Sequence, residues 1–223
     1  MFVEPPIIHQ YLCEPEFMLS VDGEFLRYWL YDWAGVNTQL MLWINWRTPP
    51  GAIDVARVVS ALGSYWGTPL LMLAMFQWRL RIQTAASAVA PFRLMVALSA
   101  AMLTAALAKV TFGFPRPMDV LNDKLRWVVG TLDSLNSFPS GHSVYTGVAL
   151  AVIWPLVSWP WKLILLGFGL ALGWSRIALG AHFPADVVAG FLLGVFCVLV
   201  TGGPARWLTA KWSAWHTTHD VSI

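Results

Sequence analysis

The residues of this chain best suited to chemistry are two histidines and an aspartate in its second half. His182 and Asp186 lie four positions apart, so their side chains become neighbours if a helix begins near Pro184. A carboxylate bonded to one imidazole nitrogen fixes the tautomer and leaves the other nitrogen to act as a nucleophile or a base. His142 lies one residue inside another predicted helix start, where it could protonate a leaving oxygen.

Cations and a tight turn accompany these three residues. Pro139, Ser140 and Gly141 are typical of a turn that leads into a helix, whose first N–H groups have no partner within the helix and attract anions. Three cationic side chains suit a phosphoryl group, whose negative charge is spread over several oxygens: Lys109, Arg116 and Arg176. The combination predicts phosphoryl transfer through a phosphohistidine.

Each of these residues also has a purely structural interpretation. Lys109 could extend its ammonium group to the membrane surface, Arg116 could be a solvated loop charge, and a His182–Asp186 pair could be a structural hydrogen bond. Ionisable residues at membrane depth are costly, however, and are functional candidates for that reason. Their shared position at one predicted membrane face favours a functional site.

The composition indicates a membrane protein. Of the 223 residues, 57% are hydrophobic and 12% are charged, with a mean hydropathy of +0.61, whereas a soluble domain carries about twice that share of charge. The formal charge of +2 indicates no nucleic-acid partner. Cys13 and Cys197 form neither a disulfide framework nor a metal knuckle, and the acidic, proline-containing N-terminus does not have the pattern of a cleavable signal peptide.

Five apolar segments approach the ~20 residues that a helix needs to cross a bilayer. They predict an all-α, polytopic transmembrane helical bundle with spans near 60–78, 91–108, 143–159, 162–177 and 187–201. Small residues recur at four-residue spacing on these segments, a pattern that lets helices pack closely in lipid. They are Ala97, Ala101, Ala105, Ala108, Gly169, Gly173, Gly190 and Gly194.

Residues 1–58 form a separate N-terminal region in this interpretation. Phe25 to Trp46 is rich in aromatic residues but carries interspersed polar ones, which favours an amphipathic helix lying in the membrane interface. A sixth span is the alternative, so five or six spans both fit. Residues 59–205 would form the transmembrane catalytic domain, and 206–223 a cytoplasmic tail.

Basic residues set the predicted orientation. Lys162, Arg206 and Lys211 share one side with the arginines between the first two segments, and the positive-inside bias makes that side cytoplasmic. The candidate phosphate-binding and catalytic residues then lie at the opposite, outward face, which would be the periplasmic face of a bacterial inner membrane.

The spacing of the candidate residues resembles a known three-part signature. The first part is Lys109, followed after six residues by Arg116-Pro117, and the second part is Pro139-Ser140-Gly141-His142. The third part is Ser175-Arg176, followed after five residues by His182 and after three more by Asp186. This pattern is similar to the signature of the type-2 phosphatidic-acid phosphatase superfamily. The motifs cover residues 109–186, and the apolar segments extend the resemblance to about 60–203. The first span of the six-span members is not evident here.

The resemblance implies a helical bundle that hydrolyses phosphate esters without a metal or another cofactor. Its site would lie at the outward-facing side of the membrane. It implies that His182 is the nucleophile, Asp186 its orienting partner and His142 the general acid. The phosphate would be held by Lys109, Arg116, Ser140, Gly141 and Arg176. Soluble vanadate-dependent haloperoxidases share the signature, but the five apolar segments argue against that class.

The predicted substrate is a lipid phosphate or diphosphate whose tail stays in the bilayer. The family resemblance suggests undecaprenyl diphosphate, phosphatidylglycerol phosphate, phosphatidic acid or a lipid A phosphate, and the sequence does not choose among them or give an oligomeric state. One alternative is a lipid phosphotransferase that uses the same phosphohistidine. Another is a non-enzymatic protein that binds or transports anionic lipids, although such a site would need the cations and not both histidines with Asp186.

Overall fold

A computed structural model describes residues 27–82, 84–128 and 136–219, and the regular secondary structure of these residues is helical. The predicted all-α class is therefore confirmed. The first half of the N-terminal region, part of the loop before Phe138 and the last four residues lie outside the described residues.

The helices follow one another with short connections. A π-helical turn, Arg27–Tyr31, precedes the first α-helix of the described chain, and short 3₁₀ turns occur at Tyr65–Gly67, Asn122–Lys124 and Trp154–Leu156. The α-helices in chain order are α1 (Val36–Arg47), α2 (Pro50–Leu62), α3 (Thr68–Ile82), α4 (Ala85–Phe112), α5 (Pro117–Leu121), α6 (Gly141–Ile153), α7 (Trp159–Ala178), α8 (Pro184–Val200) and α9 (Gly202–His219).

The helices α4, α6 and α8 form the centre of the bundle. Leu94 of α4, Val144 and Val148 of α6, and Val198 of α8 belong to one buried cluster. The helix α6 has 13 residues, so it is about 20 Å long, and it is packed against α4, α7 and α8. The most extensive helix contact in the described structure is between α6 and α8, which are the two helices that begin at the motif residues.

Small residues make this contact possible, as the sequence predicts. A Cβ atom at Gly190 would lie 2.7 Å from the carbonyl oxygen of Ser140, and one at Gly194 would lie 2.8 Å from the backbone nitrogen of Val148. A side chain at either position would therefore force the two helix backbones apart. The predicted alanines of α4 at 97, 101 and 105 are likewise buried against the core.

Two of the predicted spans differ from the helices observed. The segment near 60–78 is divided between α2 and α3, and the stretches Pro50–Leu62 and Tyr65–Trp78 are bent by 47°. The segment near 143–159 ends its α-helix at Ile153, because Pro155 cannot supply the N–H of a continuing helix and the chain passes through a 3₁₀ turn. The segments near 91–108 and 162–177 lie inside α4 and α7, and the segment near 187–201 corresponds to α8.

Length and apolar composition identify two stretches of the described chain that can cross a bilayer alone, Ala88–Lys124 and Trp159–Ala178. Two further pairs of helices pass the same test together, and they raise the number to four if each pair is one span. The first pair is α2 with the following 3₁₀ turn and α3. The second pair is α8 with α9, which are bent by 51° relative to each other. The residues predicted as a tail, 206–219 of them described, are helical as part of α9.

The predicted single helix from Phe25 to Trp46 is wrong, because the chain breaks it near the middle. Trp33, Ala34 and Gly35 have positive φ angles of 50°, 56° and 91°, a left-handed conformation that ends a right-handed helix. A π-helical turn therefore precedes the break and α1 follows it.

The helix α1 buries its two asparagines and leaves each of its two tryptophans more than half exposed. Asn37 and Asn45 are completely buried, whereas Trp43 and Trp46 are 59% and 54% exposed. The side chain of Asn45 donates to the carbonyls of Trp127 and Ala178 and accepts from the N–H groups of Arg126 and Trp127. The amide oxygen of Asn37 accepts from the N–H of Ala185, 2.9 Å away, in the first turn of α8. Thus α1 holds the ends of the two helices that carry the third motif.

Candidate active site

The three motifs meet at one end of the helical bundle. Two helices finish there, since Lys109 lies in the last turn of α4 and Arg176 in the last turn of α7. Two helices begin there, with Ser140 as the N-cap of α6 and Asp186 in the first turn of α8. His182 lies in the turn between α7 and α8, and Arg116 is the N-cap of α5.

Backbone hydrogen bonds join these ends to one another. The N–H of Ser140 donates to the carbonyl of Asp186, 3.0 Å away, so the starts of α6 and α8 are fixed side by side. The N–H of Ser137 donates to the carbonyl of Phe114 at 2.7 Å, which ties the second motif to the loop of the first. In the turn after α7, Gly180 has a φ of +70°, a conformation that favours glycine.

The carboxylate of Asp186 faces one nitrogen of His182. Its Oδ2 lies 3.5 Å from His182 Nδ1 and accepts hydrogen bonds from the hydroxyl of Ser137 at 2.5 Å and from the N–H of Phe183 at 2.8 Å. Its Oδ1 accepts from the hydroxyl of Tyr31 at 2.8 Å. The carboxylate is completely buried, and its two oxygens accept from three donors.

The hydroxyl of Ser137 determines the tautomer of His182. Its single proton is directed to Asp186, so at the 3.3 Å contact between Ser137 Oγ and His182 Nδ1 the serine oxygen can only accept. The proton of the neutral imidazole must therefore be on Nδ1. The lone pair is then on Nε2, the nitrogen that a nucleophilic histidine needs.

A guanidinium group faces that second nitrogen. Arg116 Nη1 lies 3.5 Å from His182 Nε2 and donates to the carbonyl of Ala181 at 2.9 Å. The backbone N–H of Arg116 donates to the carboxylate of Asp119 at 3.1 Å, which fixes the start of α5. The arrangement places a cation where a phosphoryl group bonded to Nε2 would carry its charge.

The other two cations are held by the surrounding chain. Lys109 Nζ donates to the carbonyls of Asn136 and Ser137 at 2.8 and 3.4 Å. Arg176 Nη1 donates to the hydroxyl of Ser60 in α2 at 2.5 Å. Both side chains are thereby oriented before any anion arrives, which lowers the entropic cost of binding one.

The pKa of the His182 imidazole is well below its usual value. Burial is the largest cause, and the positive charges of Arg176, Arg116 and Lys109 lower the pKa further, as does His142 when protonated. His182 is therefore neutral at neutral pH, and one of its ring nitrogens carries no proton. The same set of interactions shows that the two histidines and three cations share one electrostatic environment.

Exposure differs across the site. His182 is 2% exposed and Asp186 is fully buried, whereas Lys109, Gly141 and His142 are partly exposed. The N–H groups of Gly141 and His142 belong to the first turn of α6, where no carbonyl of the same helix is available to them. The open side of the site therefore carries His142 and the helix start, with His182 behind them.

Three polar contacts of the site are not among the residues predicted from sequence. Ser137 lies next to the second motif, but a serine there also fits an ordinary turn. Ser60 and Tyr31 contact Arg176 and Asp186 from segments far away in the chain. Tyr31 is one of many aromatic residues in its stretch, and no local signal distinguishes it.

The donor chemistry of the site does not fit a divalent metal ion. Within the described residues no three histidine, cysteine or acidic side chains are grouped as metal ligands. Lys109, Arg116 and Arg176 surround the pair His182–Asp186, and such cations would repel a metal ion. The site is suited to an anion.

The fold and the motifs agree with a known family. A model of the PAP2 superfamily, the type-2 phosphatidic-acid phosphatases, matches residues 90–207, which is more than half of the chain. The chain belongs to this superfamily, and the resemblance seen in its motifs is confirmed.

Known relatives show both sequence and structural similarity. The chain is 35% identical over 71 residues to the lipid A 1-phosphatase of Rhizobium johnstonii, but that match covers 30% of this chain and 28% of the relative. The crystal structure of LpxE from Aquifex aeolicus superposes with a TM-score of 0.60 at 24% identity, covering 74% of this chain and 94% of the other. A PAP2-type phosphatidylglycerolphosphate phosphatase from Bacillus subtilis gives a TM-score of 0.63 at 19% identity, covering 82% and 91%. At these identities the two structures establish the shared fold.

Proposed function

We propose that this protein is an integral membrane lipid phosphatase that removes the terminal phosphate of a lipid phosphate or diphosphate through a phosphohistidine at His182. Family membership and the relatives' names support the class of reaction. The mechanism rests on the arrangement of the residues at the end of the bundle.

The observation that carries the proposal is the environment of the His182 ring. One nitrogen faces Ser137 and the carboxylate of Asp186, and the other faces the guanidinium of Arg116. A structural histidine needs no cation against its unprotonated nitrogen, because a neutral donor would satisfy it. A nucleophile does need one, since the phosphoryl group that it receives is an anion.

In the first step, Nε2 of His182 attacks phosphorus, and the bond between phosphorus and the lipid oxygen breaks. His142 gives its proton to that oxygen as the bond breaks. Lys109, Arg116 and Arg176 stabilise the charge on the phosphoryl oxygens, together with the N–H groups of Gly141 and His142 and the N-cap Ser140. Asp186 stabilises the positive charge that the His182 ring gains.

In the second step, water attacks the phosphohistidine. His142, now neutral, accepts a proton from this water, the bond between Nε2 and phosphorus breaks, and inorganic phosphate leaves. His142 is partly exposed at the open side of the site, which is where a leaving lipid oxygen and an incoming water must both pass. The two steps balance without a metal or another cofactor.

A lipid substrate fits the exterior of the protein. Large apolar side chains are exposed along α4, α7 and α8, among them Leu103, Leu107, Leu170 and Leu192. Such a surface packs favourably against the acyl chains of a bilayer. A lipid can therefore reach the site from the bilayer, with its phosphate at the end of the bundle. Undecaprenyl diphosphate, phosphatidylglycerol phosphate, phosphatidic acid and a lipid A phosphate remain the substrates to compare.

The same proposal includes a bacterial inner-membrane location with the site at the periplasmic face and five or six spans. Arg93 and Lys162 lie in the first halves of α4 and α7, and Arg206 lies near the start of α9, so all three are toward the helix ends opposite the site. The positive-inside bias places that end in the cytoplasm and the site outside.

The experiment is phosphate release by purified protein from this panel of lipids in detergent. His182→Ala should release no phosphate above background, and His216→Ala, which changes a histidine of α9, should match the wild type. Both variants should remain folded by thermal melting. Full activity of His182→Ala would contradict the nucleophile assignment, and no release from any lipid by folded wild type would contradict the phosphatase itself.

A labelled donor lipid separates hydrolysis from transfer. Label recovered as inorganic phosphate supports the proposal. Label recovered in a second lipid would instead identify a phosphotransferase that uses the same His182 intermediate.

A further inference from the structure

Tyr31 contacts the catalytic end of the bundle from the N-terminal region. It is the last residue of the π-helical turn Arg27–Tyr31, and its hydroxyl donates to Asp186 Oδ1 at 2.8 Å. The residue lies outside the segment 90–207 that matches the family model. The family signature therefore gives no account of it.

The two oxygens of the Asp186 carboxylate have different partners. Oδ2 accepts from Ser137 and Phe183, whereas Oδ1 accepts from Tyr31 and from no other group in the described part of the chain. Because Asp186 is completely buried, loss of the Tyr31 hydroxyl would leave Oδ1 without a donor. The carboxylate could then rotate, and Oδ2 would leave its place beside Ser137 and His182.

The ring of Tyr31 is held by one aromatic residue from each motif segment. Its centroid lies 4.2 Å from that of Phe114, 5.8 Å from that of Phe138 and 6.1 Å from that of Phe183. Phe114 precedes Arg116, Phe138 precedes the turn of α6, and Phe183 follows His182. The hydroxyl is thus aimed by contacts with all three motif segments.

The Tyr31 hydroxyl also stays protonated. Burial and the charge of Asp186 raise its pKa well above the usual value, so it is a donor at every pH at which the protein would act. The contact therefore supplies a constant hydrogen bond to the carboxylate.

We propose that Tyr31 is a positioning residue for the reaction at His182: it fixes the Asp186 carboxylate through Oδ1, so that Oδ2 is presented to Ser137 and to the imidazole. This inference rests on the proposed phosphatase function. It assigns part of the active site to the N-terminal region and makes that region necessary for full turnover.

The test is Tyr31→Phe, which keeps the ring contacts and removes the hydroxyl. We expect kcat to fall by about 10- to 100-fold, the range typical of a lost hydrogen bond to a charged group, with KM within about twofold of wild type. We expect an unchanged KM because, within the described residues, no hydrogen bond joins Tyr31 to Lys109, Arg116 or Arg176. Tyr28→Phe is the matched control, since Tyr28 lies in the same π-helical turn but is 45% exposed, and it should leave both constants unchanged.

A double variant separates positioning from a general effect on folding. In an Asp186→Asn background, Tyr31→Phe should cost less than threefold, because the carboxylate that Tyr31 orients is gone. An equal cost in both backgrounds, or an unchanged kcat in Tyr31→Phe while wild type is active, would overturn the inference and leave the proposed function standing. If folded wild type releases no phosphate from any lipid of the panel, the proposed function fails and the inference falls with it.

Discussion

At the scale of single residues, Asp186 has the most constrained side chain of the site. It accepts from Tyr31, Ser137 and Phe183 while facing His182. Asp186→Asn would replace one accepting oxygen with an NH₂ group, which repels a donor and disturbs the Nδ1–H tautomer of His182. We expect kcat to fall by about 10⁴-fold, as in other enzymes that lose the carboxylate orienting a histidine. The rate of phosphate release by the purified variant measures this loss of kcat.

Asp123→Asn is the control for that loss, because Asp123 is exposed in the turn after α5. It should keep the wild-type rate. A wild-type rate in Asp186→Asn would mean that Asp186 does not orient His182.

The charges around His182 also predict a pH effect. Burial and then Arg176 are the largest causes of its low pKa, so Arg176→Gln should raise that pKa by removing a positive charge. A higher pKa leaves less neutral imidazole at acid pH, and the acid limb of kcat/KM should therefore move to higher pH. Arg57→Gln, which changes an exposed arginine paired with Asp54, should leave the profile in place, and a shift to lower pH in Arg176→Gln would contradict the assignment.

The grouping of the candidate site residues at one end of the bundle follows from the sequence, because each motif is local. The turn Pro139 to Gly141 and the four-residue spacing of His182 and Asp186 determine their own geometry once a helix follows. Tyr31 was not predictable, because its contact with Asp186 joins positions 155 residues apart. Such a contact depends on how the whole bundle is packed.

At the scale of helices, the contact between α6 and α8 should be the most sensitive to added volume. Gly194→Ala would place a Cβ 2.8 Å from the backbone nitrogen of Val148, and overpacking of this kind costs about 1–3 kcal/mol. We expect a lower melting temperature in detergent and lower activity, because the two helices carry His142 and Asp186 at their starts.

Gly167→Ala provides the comparison. Gly167 lies within α7, and a Cβ there would have nothing within 4 Å. The melting temperature of Gly167→Ala should stay the same or rise, because alanine is more stable than glycine inside a helix by roughly 0.5–1 kcal/mol. Equal melting temperatures for both variants would show that the α6–α8 contact tolerates a wider spacing.

The helix α1 shows why element orientation was harder to predict than element type. The mixture of tryptophans and amides does not define which side of the helix faces the protein, because in a membrane both lipid and protein interior can border an apolar face. Here Asn37 and Asn45 face the protein because they hydrogen-bond the ends of α7 and α8. Periodicity alone carries no information about those backbone partners.

At the scale of the whole molecule, the proposed orientation predicts opposite labelling of the two ends. In a background with Cys13 replaced by serine, Asp123→Cys places a thiol at the site end and Lys162→Cys places one at the far end, in the first turn of α7. The remaining Cys197 is buried. A membrane-impermeant maleimide should label the first variant in intact spheroplasts and the second only after permeabilisation. The reverse pattern would place the site in the cytoplasm.

The inward-facing amides of α1 impose an order on biosynthesis. The ribosome releases α1 well before α7 and α8, whose backbone groups pair with Asn45 and Asn37. Until those helices emerge, the amides can be satisfied only by water or headgroups, because the hydrocarbon layer offers them no partner. The newly made α1 must therefore wait at the membrane surface. Among the described helices, α1 is translated early but is one of the last to reach its native neighbours, and the end of the bundle that carries the three motifs is complete only after the C-terminal half has been inserted.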